Sequence, residues 1–215
     1  MPGGRWFPGT TVNYASYALA DRNRRGDAIV AIDEDGTTTT TTWPELRRQV
    51  GALAGFLRRS GVQHGDRVVA ILPDRTEAVV GFLAAASVGA VWSIVAPEFG
   101  AGAIVSRLQQ LEPAVLIAAS GYTYGGRRLD RTDVPADILA QLPSLRDIVW
   151  VDIAAGVPAT STPRTHSWQD VVAAEHEWEA DQLPFDHPLW CCSPRAPLAF
   201  RRGSSIDTAA PSSTT

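Results

Sequence analysis

Four short, almost wholly apolar runs recur along the chain: RVVAIL at 67–72, VWSIV at 91–95, VLIAA at 115–119 and IVWV at 148–151. A strand with one face in water alternates apolar and polar residues, and these runs do not. Unbroken apolar strands are buried on both faces. Segments of helical length separate them, at 76–88, 101–111 and 135–142. Strand–helix alternation of this kind predicts an α/β fold: a layered, largely parallel sheet with flanking helices.

The uncharged stretch from Ala78 to Pro97 is the one segment that competes with this assignment, because about 20 apolar residues can cross a bilayer. Gly89 divides it, with Ala-rich FLAAAS before and β-branched, aromatic VWSIV after. That change of character predicts a buried helix, a turn and a buried strand, and no membrane span.

Upstream, residues 13–22 predict a short helix and DAIVAID (27–33) a strand, with Asp35-Gly36 turning it into the threonine run 37–42 as a return strand. Thr42 is placed to cap the next helix, with Pro44 and Glu45 in its first turn. Leu46, Val50, Leu53, Ala54 and Leu57 then share one face, Arg47, Arg48, Arg58 and Arg59 lie largely off it, and Gly61 closes the helix. The aromatics of WFPG (6–9) are expected to pin the chain start to the core. Downstream, 154–165 reads as a loop, 167–175 as a short helix and 179–190 as a connection toward a strand. From Cys191 onward CCSPRAPLAFRRGSSIDTAAPSSTT carries three prolines and no period, which predicts disorder.

A chain of 215 residues is long enough for a substantial core. All 19 of its basic residues are arginine, so chemistry that needs a lysine ammonium has no donor within it. A net charge of −4 with dispersed arginines offers no footprint for nucleic acid. Cys191 and Cys192 are neighbours and form no disulfide framework, and the four histidines (His64, His166, His176, His187) are scattered, which argues against a metal centre. The start MPGGRWFPGTT lacks a basic stretch followed by an apolar one, so no signal peptide is expected and a cytoplasmic location is.

GxGxxG, the Walker phosphate loop, GxSxG and the kinase motifs are all absent. The most suggestive local feature is GYTYGGRRLD (121–130), which follows a strand at the place where open α/β sheets bind ligands. Gly125 and Gly126 can let the backbone approach a phosphate while Arg127 or Arg128 pairs with it. The alternative is a surface turn with solvated arginines. Gly100 in PEFG (97–100) is likewise either a ligand-contact turn or punctuation before a helix. Asp66, Asp74 and Glu98 sit at strand ends, where solvated carboxylates are commoner than catalytic ones.

Taken together, WFPGTTVNYA (6–15), GDRVVAILP (65–73), EAVVGFLAAASVGAVWS (77–93), PEFG (97–100), RLQQLEPAVLIAASGYTYGGRRLD (107–130), LPSLRDIVWV (142–151) and FDHPLW (185–190) resemble the acetoacetate–CoA ligase branch of the adenylate-forming acyl-CoA synthetases. The resemblance implies a two-step ligase: ATP activates acetoacetate as an acyl-adenylate with loss of pyrophosphate, and coenzyme A then takes the acyl group. It implies ATP, Mg and coenzyme A as the family's cofactors, small-molecule substrates, and a coenzyme A contact at Gly125, Gly126 and Arg127. Tyr124 stands where the related acetyl-CoA synthetases carry a second arginine.

The family's Ser-Ser-Gly-Thr-Thr-Gly-x-Pro-Lys phosphate loop follows a segment like FDHPLW, and this chain has CCSPRAPLAF instead. Loss of one base after the Trp190 codon accounts for that. A neighbouring reading frame compatible with Cys191–Ile206 spells Val-Leu-Phe-Ser-Ser-Gly-Thr-Thr-Gly-Leu-Pro-Lys-Gly-Ile-Val-His. The resulting expectation is an N-terminal part of the large AMP-binding domain over 5–190 and an out-of-frame tail over 191–215. Such a chain is expected to bind no cofactor tightly and to be inactive alone. The alternative is a non-catalytic assembly module that pairs with a downstream synthetase fragment.

Overall fold

A computed structural model describes residues 7–21, 23–131, 139, 141–152 and 163–192. Its centre is a five-stranded sheet in the order β10-β9-β6-β4-β5, all neighbours parallel. The strands are β4 (Arg67–Ile71), β5 (Val91–Val95), β6 (Val115–Ala119), β9 (Asp147–Val151) and β10 (Arg164–Ser167). The first four are the apolar runs of the sequence. Alternate residues along them enter two separate cores. Val68, Ala70, Val115, Ile117, Val149 and Val151 pack with one set of helices, and Val69, Ile71, Leu116, Ala118, Ile148 and Trp150 with another. Both faces of the sheet are therefore covered, as unbroken apolar strands require.

On the first face lie α1 (Tyr14–Leu19), α2 (Trp43–Arg59), α3 (Thr76–Ser87) and a short α5 (Trp168–Ala173); on the second lies α4 (Ala101–Gln109). Both α1 and α2 open on a side-chain cap, the one at Thr42 as the sequence predicts. Asn13 Oδ1 accepts the Ala15 N–H at 2.9 Å, and Thr42 Oγ1 accepts that of Glu45 at 3.4 Å. All five predicted α2 core residues are buried, but so are Gly51, Ala52, Gly55 and Phe56. The burial is wider than one stripe because α3 and the chain near His176 and Trp178 also cover this helix. Gly89, at φ 67°, makes the turn that divides the Ala78–Pro97 run into the end of α3 and β5. Among the described residues no helix is long and apolar enough to cross a membrane.

Around this core, β2 (Asp27–Ile32) and β3 (Thr38–Thr42) form an antiparallel hairpin, β7 (Gly121–Tyr124) and β8 (Arg127–Asp130) form a second, and β1 (Thr11–Val12) pairs with β11 (Leu183–Pro184). The 154–165 loop needs correction at its end, because Arg164 and Thr165 open β10. RTHS has no apolar signal. It is held as an edge strand by its side chains: Arg164 donates from Nε and Nη2 to the two carboxylate oxygens of Asp147 at 2.9 and 2.8 Å, and His166 Nε2 donates to Oδ1 at 2.8 Å. Phe7 also departs from expectation. It is 61% exposed and packs edge-on against Phe185, with ring centroids 4.8 Å apart, instead of entering the core. Trp6, most of the predicted helix 135–142 and the segment from Ser193 onward lie outside the described residues.

Candidate functional site

The connections leaving β4 set where a site can form. The chain passes from β4 to β5 on one side, then through α4 to β6 on the other side of β4. Strand order therefore reverses between β4 and β6, and a crevice opens at the carboxyl ends of these strands, where such sheets bind ligands. It holds about 1060 Å³ and is bounded by the β2–β3 hairpin, residues 73–77 after β4, the β7–β8 hairpin and Asp152 after β9.

Arg75 is the charged centre of this crevice. Its Nε and Nη2 donate to Glu77 at 2.6 and 2.8 Å, and Nη1 and Nη2 reach the carboxylate of Asp152. Since β6 lies between β4 and β9, this guanidinium links two strand ends across a third. Burial works against its charge, but the hydrogen bonds it donates to Asp152 and Glu77 outweigh that and raise its pKa above the ordinary arginine value. Asp152 takes φ 67°, a left-handed backbone that aspartate tolerates better than most residues. The sequence signal for Arg75 and Asp152 was their position just beyond apolar runs. Asp74, the strand-end carboxylate that the sequence singled out beside Arg75, is exposed on the rim.

The β7–β8 hairpin carries the predicted glycines. Gly125 and Gly126 form its turn at φ 59° and 71°, conformations that a Cβ would strain, with open space beside both. Gly126 N–H donates to Glu34 Oε2 at 3.0 Å. The turn's amide thus faces an anionic oxygen, which in this structure is a side chain of the β2–β3 hairpin. Both glycines and Arg128 line the crevice, and Arg128 Nη2 donates to Ser120 Oγ at 3.4 Å. Arg127 does not line it. It pairs across the hairpin with exposed Tyr124, one position out of phase with Arg128, and has no partner among the described residues. The two arginines therefore serve opposite faces of one hairpin.

The PEFG segment is tied to the same hairpin. Arg131, just past β8, donates from Nη2 to the Phe99 carbonyl at 2.6 Å, and Arg107 stacks over the Phe99 ring at 4.6 Å. Gly100 is the N-cap of α4. Asp66 is occupied structurally, accepting from Arg146 Nη2 at 2.8 Å and from the Gln63 N–H at 3.1 Å, and Glu98 is exposed. Among the described residues, no three His, Cys, Asp or Glu side chains converge as ligands for a metal ion.

Residues 19–189 match the family model of the AMP-binding enzymes. The chain is 32% identical over 195 residues to the acetoacetyl-CoA synthetase of Danio rerio, covering 86% of this chain and 29% of that one. It is 34% identical to the acetoacetyl-coenzyme A synthetase of Rhizobium meliloti (strain 1021), covering 88% and 29%. The solved structure of the acetoacetyl-CoA synthetase from Streptomyces lividans superposes with a TM-score of 0.81 at 45% identity, over 88% of this chain and 29% of that chain. The 215 residues thus span under a third of the length of these relatives. With four-fifths of its length matched to the family model and its sheet matched to a solved synthetase, this chain belongs to the AMP-binding enzyme family and resembles its acetoacetyl-CoA synthetases.

Proposed function

We propose that residues 5–190 are the N-terminal part of the large domain of an acetoacetate–CoA ligase, which converts ATP, acetoacetate and coenzyme A to acetoacetyl-CoA, AMP and pyrophosphate. On this reading 191–215 is an out-of-frame tail, and the 215-residue chain does not catalyse the reaction alone. It has no lysine and no Ser-Ser-Gly-Thr-Thr-Gly loop with which to stabilise phosphate charge. Groups that act jointly in catalysis cannot be removed together without a severe loss.

The observation that carries the ligand assignment is the Gly125-Gly126 turn, whose Gly126 amide already holds a carboxylate, beside an Arg127 with no partner among the described residues. These residues fit an anionic phosphate of coenzyme A. One charge-assisted pair is worth roughly 1–3 kcal/mol, against the ~8 kcal/mol of a micromolar complex, so affinity is at best millimolar. The test is acetoacetate-dependent pyrophosphate release by the purified chain. The expected result is none above a no-enzyme control, and measurable release removes the proposal of inactivity. Micromolar coenzyme A binding in a calorimeter, or unchanged binding by Arg127→Ala, removes the site assignment.

A second reading, a non-catalytic module that assembles with a downstream synthetase fragment, is favoured by one observation. The chain at Trp190 forms a parallel bridge to Trp92 at the open edge of β5. Size-exclusion chromatography with and without such a fragment tests it, and an unchanged elution volume counts against it.

A further inference from the structure

Cys191 and Cys192 are the only cysteines of the chain, they are adjacent, and both are free and exposed. The backbone of the first is anchored to the edge of β5. Cys191 N–H donates to the Trp92 carbonyl at 2.8 Å, and the Cys191 carbonyl accepts from Ser93 Oγ at 2.9 Å. Just before it, Trp92 N–H donates to the Leu189 carbonyl at 3.1 Å, so the anchor has a bond on either side of Trp190. Cys192 has no hydrogen-bond partner among the described residues. One thiol therefore hangs from a fixed backbone. The other hangs from a backbone that can turn toward it without breaking a bond of the sheet.

Two thiols on neighbouring residues restrict what the pair can hold. A zinc ion takes about four protein ligands in a structural site, and among the described residues no three His, Cys, Asp or Glu side chains are placed to hold a metal ion. Thiolates favour soft centres over hard ones. A monosubstituted trivalent arsenical, R–As(OH)2, is soft and carries two exchangeable hydroxyls, so two thiols satisfy it completely. The surroundings fit an apolar R group. Trp190, directly before the pair, is 60% exposed, and its ring lies 5.7 Å from that of Phe82, which lies 5.3 Å from that of Tyr14.

We infer that Cys191 and Cys192 form a dithiol site for a trivalent organoarsenical with an aromatic substituent, seated beside Trp190. Each thiol replaces one hydroxyl. Two S–H and two As–O bonds break, two As–S and two O–H bonds form, and two water molecules leave with the thiol protons. Arsenic stays trivalent and neither sulfur changes oxidation state, so the step needs no oxidant or reductant. The second As–S bond closes within one molecule, at the high effective concentration of a neighbouring thiol. The site uses only the exposed pair and its anchor on β5, and is independent of the ligase reading.

Phenylarsine oxide, which hydrates to the dihydroxide, is the probe, added to the 215-residue chain kept reduced by a phosphine. Intact-mass spectrometry counts phenylarsenic groups, and a thiol-specific reagent counts the thiols left. The expected result is one group per chain, with both thiols lost together and both restored by a small competing dithiol. Cys191→Ser and Cys192→Ser should each weaken binding about a hundredfold or more, because each removes the intramolecular second bond. Neither should move the melting temperature, since both side chains are exposed. Trp190→Ala should weaken phenylarsine oxide about two- to tenfold, the value of an aromatic contact, and leave inorganic arsenite unchanged. The Cys191 amide should exchange no faster in the complex than in the free chain. Two groups per chain, or a single-cysteine variant that binds as tightly as the parent, overturns the dithiol site. Equal weakening of both arsenicals by Trp190→Ala overturns the aromatic seat. A faster Cys191 amide in the complex overturns the anchored geometry.

Discussion

Glu34 Oε2 accepts the Gly126 N–H at 3.0 Å, so the tip of one hairpin supplies the anion held by the tip of another, 92 residues away. Neither hairpin belongs to the central sheet. Both residues line the crevice, and the contact occupies an amide of the turn that the sequence offered either as a phosphate contact or as a surface turn.

Glu34→Gln keeps an oxygen acceptor for that amide and removes the charge that opposes an incoming phosphate. Two like charges about 4 Å apart in water repel by about 1 kcal/mol, so coenzyme A affinity should rise about fivefold. The check is a nuclear magnetic resonance titration that follows the Gly126 amide. Unchanged affinity would show that phosphate does not use this turn.

Arg75→Lys should destabilise the chain by about 1–3 kcal/mol, because one ammonium cannot reproduce four donations to two carboxylates at once. Arg75→Ala should cost at least as much, leaving Glu77 and Asp152 facing each other without a cation. Urea denaturation of the three proteins measures this. A lysine variant as stable as the parent would mean that the bridge across β6 contributes nothing.

Asp147 gives the chain an acid-sensitive point. Its side chain is completely buried, which by itself raises a carboxyl pKa, but hydrogen bonds and charge from Arg164 and His166 outweigh burial and hold it below the ordinary 3.8. Asp181 is lowered in the same way: burial raises it, and His64 and Arg58 more than offset that. A depressed carboxyl stabilises the fold above its unfolded pKa and loses that contribution as pH falls through the folded value. Melting temperature should therefore be level from pH 7 to about pH 5 with respect to these groups and fall below about pH 4. Asp147→Asn should lower it by about 5 °C at pH 7 and flatten the acid decline. A variant with the parent's full acid decline would remove Asp147 from the account.

Gly81→Ala tests packing against propensity. Alanine gains up to about 1 kcal/mol over glycine inside a helix. A Cβ at Gly81 would stand 2.6 Å from Trp92 Cη2, inside a buried core where the ring cannot retreat freely. Overpacking of that kind costs about 1–3 kcal/mol, so the net effect should be destabilising. A rise in melting temperature would show that the Trp92 ring has room to shift.

The four apolar strands, the helices α3 and α4 between them and the Thr42 cap were legible in the sequence because each depends on local pattern: burial on two faces, a 3.6-residue period, a side-chain oxygen before a first turn. The Gly-Gly turn was legible for the same reason, since its backbone angles ask for glycine. Partnership over distance was not. Asn13 is recognisable as a cap, but that its Nδ2 also donates to the carbonyls of Ala86 and Asp181 at 2.8 and 2.9 Å follows only from how α1, α3 and the later connection meet. β10 was missed because its four residues are polar, and it is a strand through Asp147, whose carboxylate lies 17 residues before Arg164. Arg127 and Arg128, adjacent in sequence and equivalent there, are separated onto two faces by the hairpin. Which groups face each other is settled by the order in which strands assemble, and a one-dimensional pattern carries no term for that order.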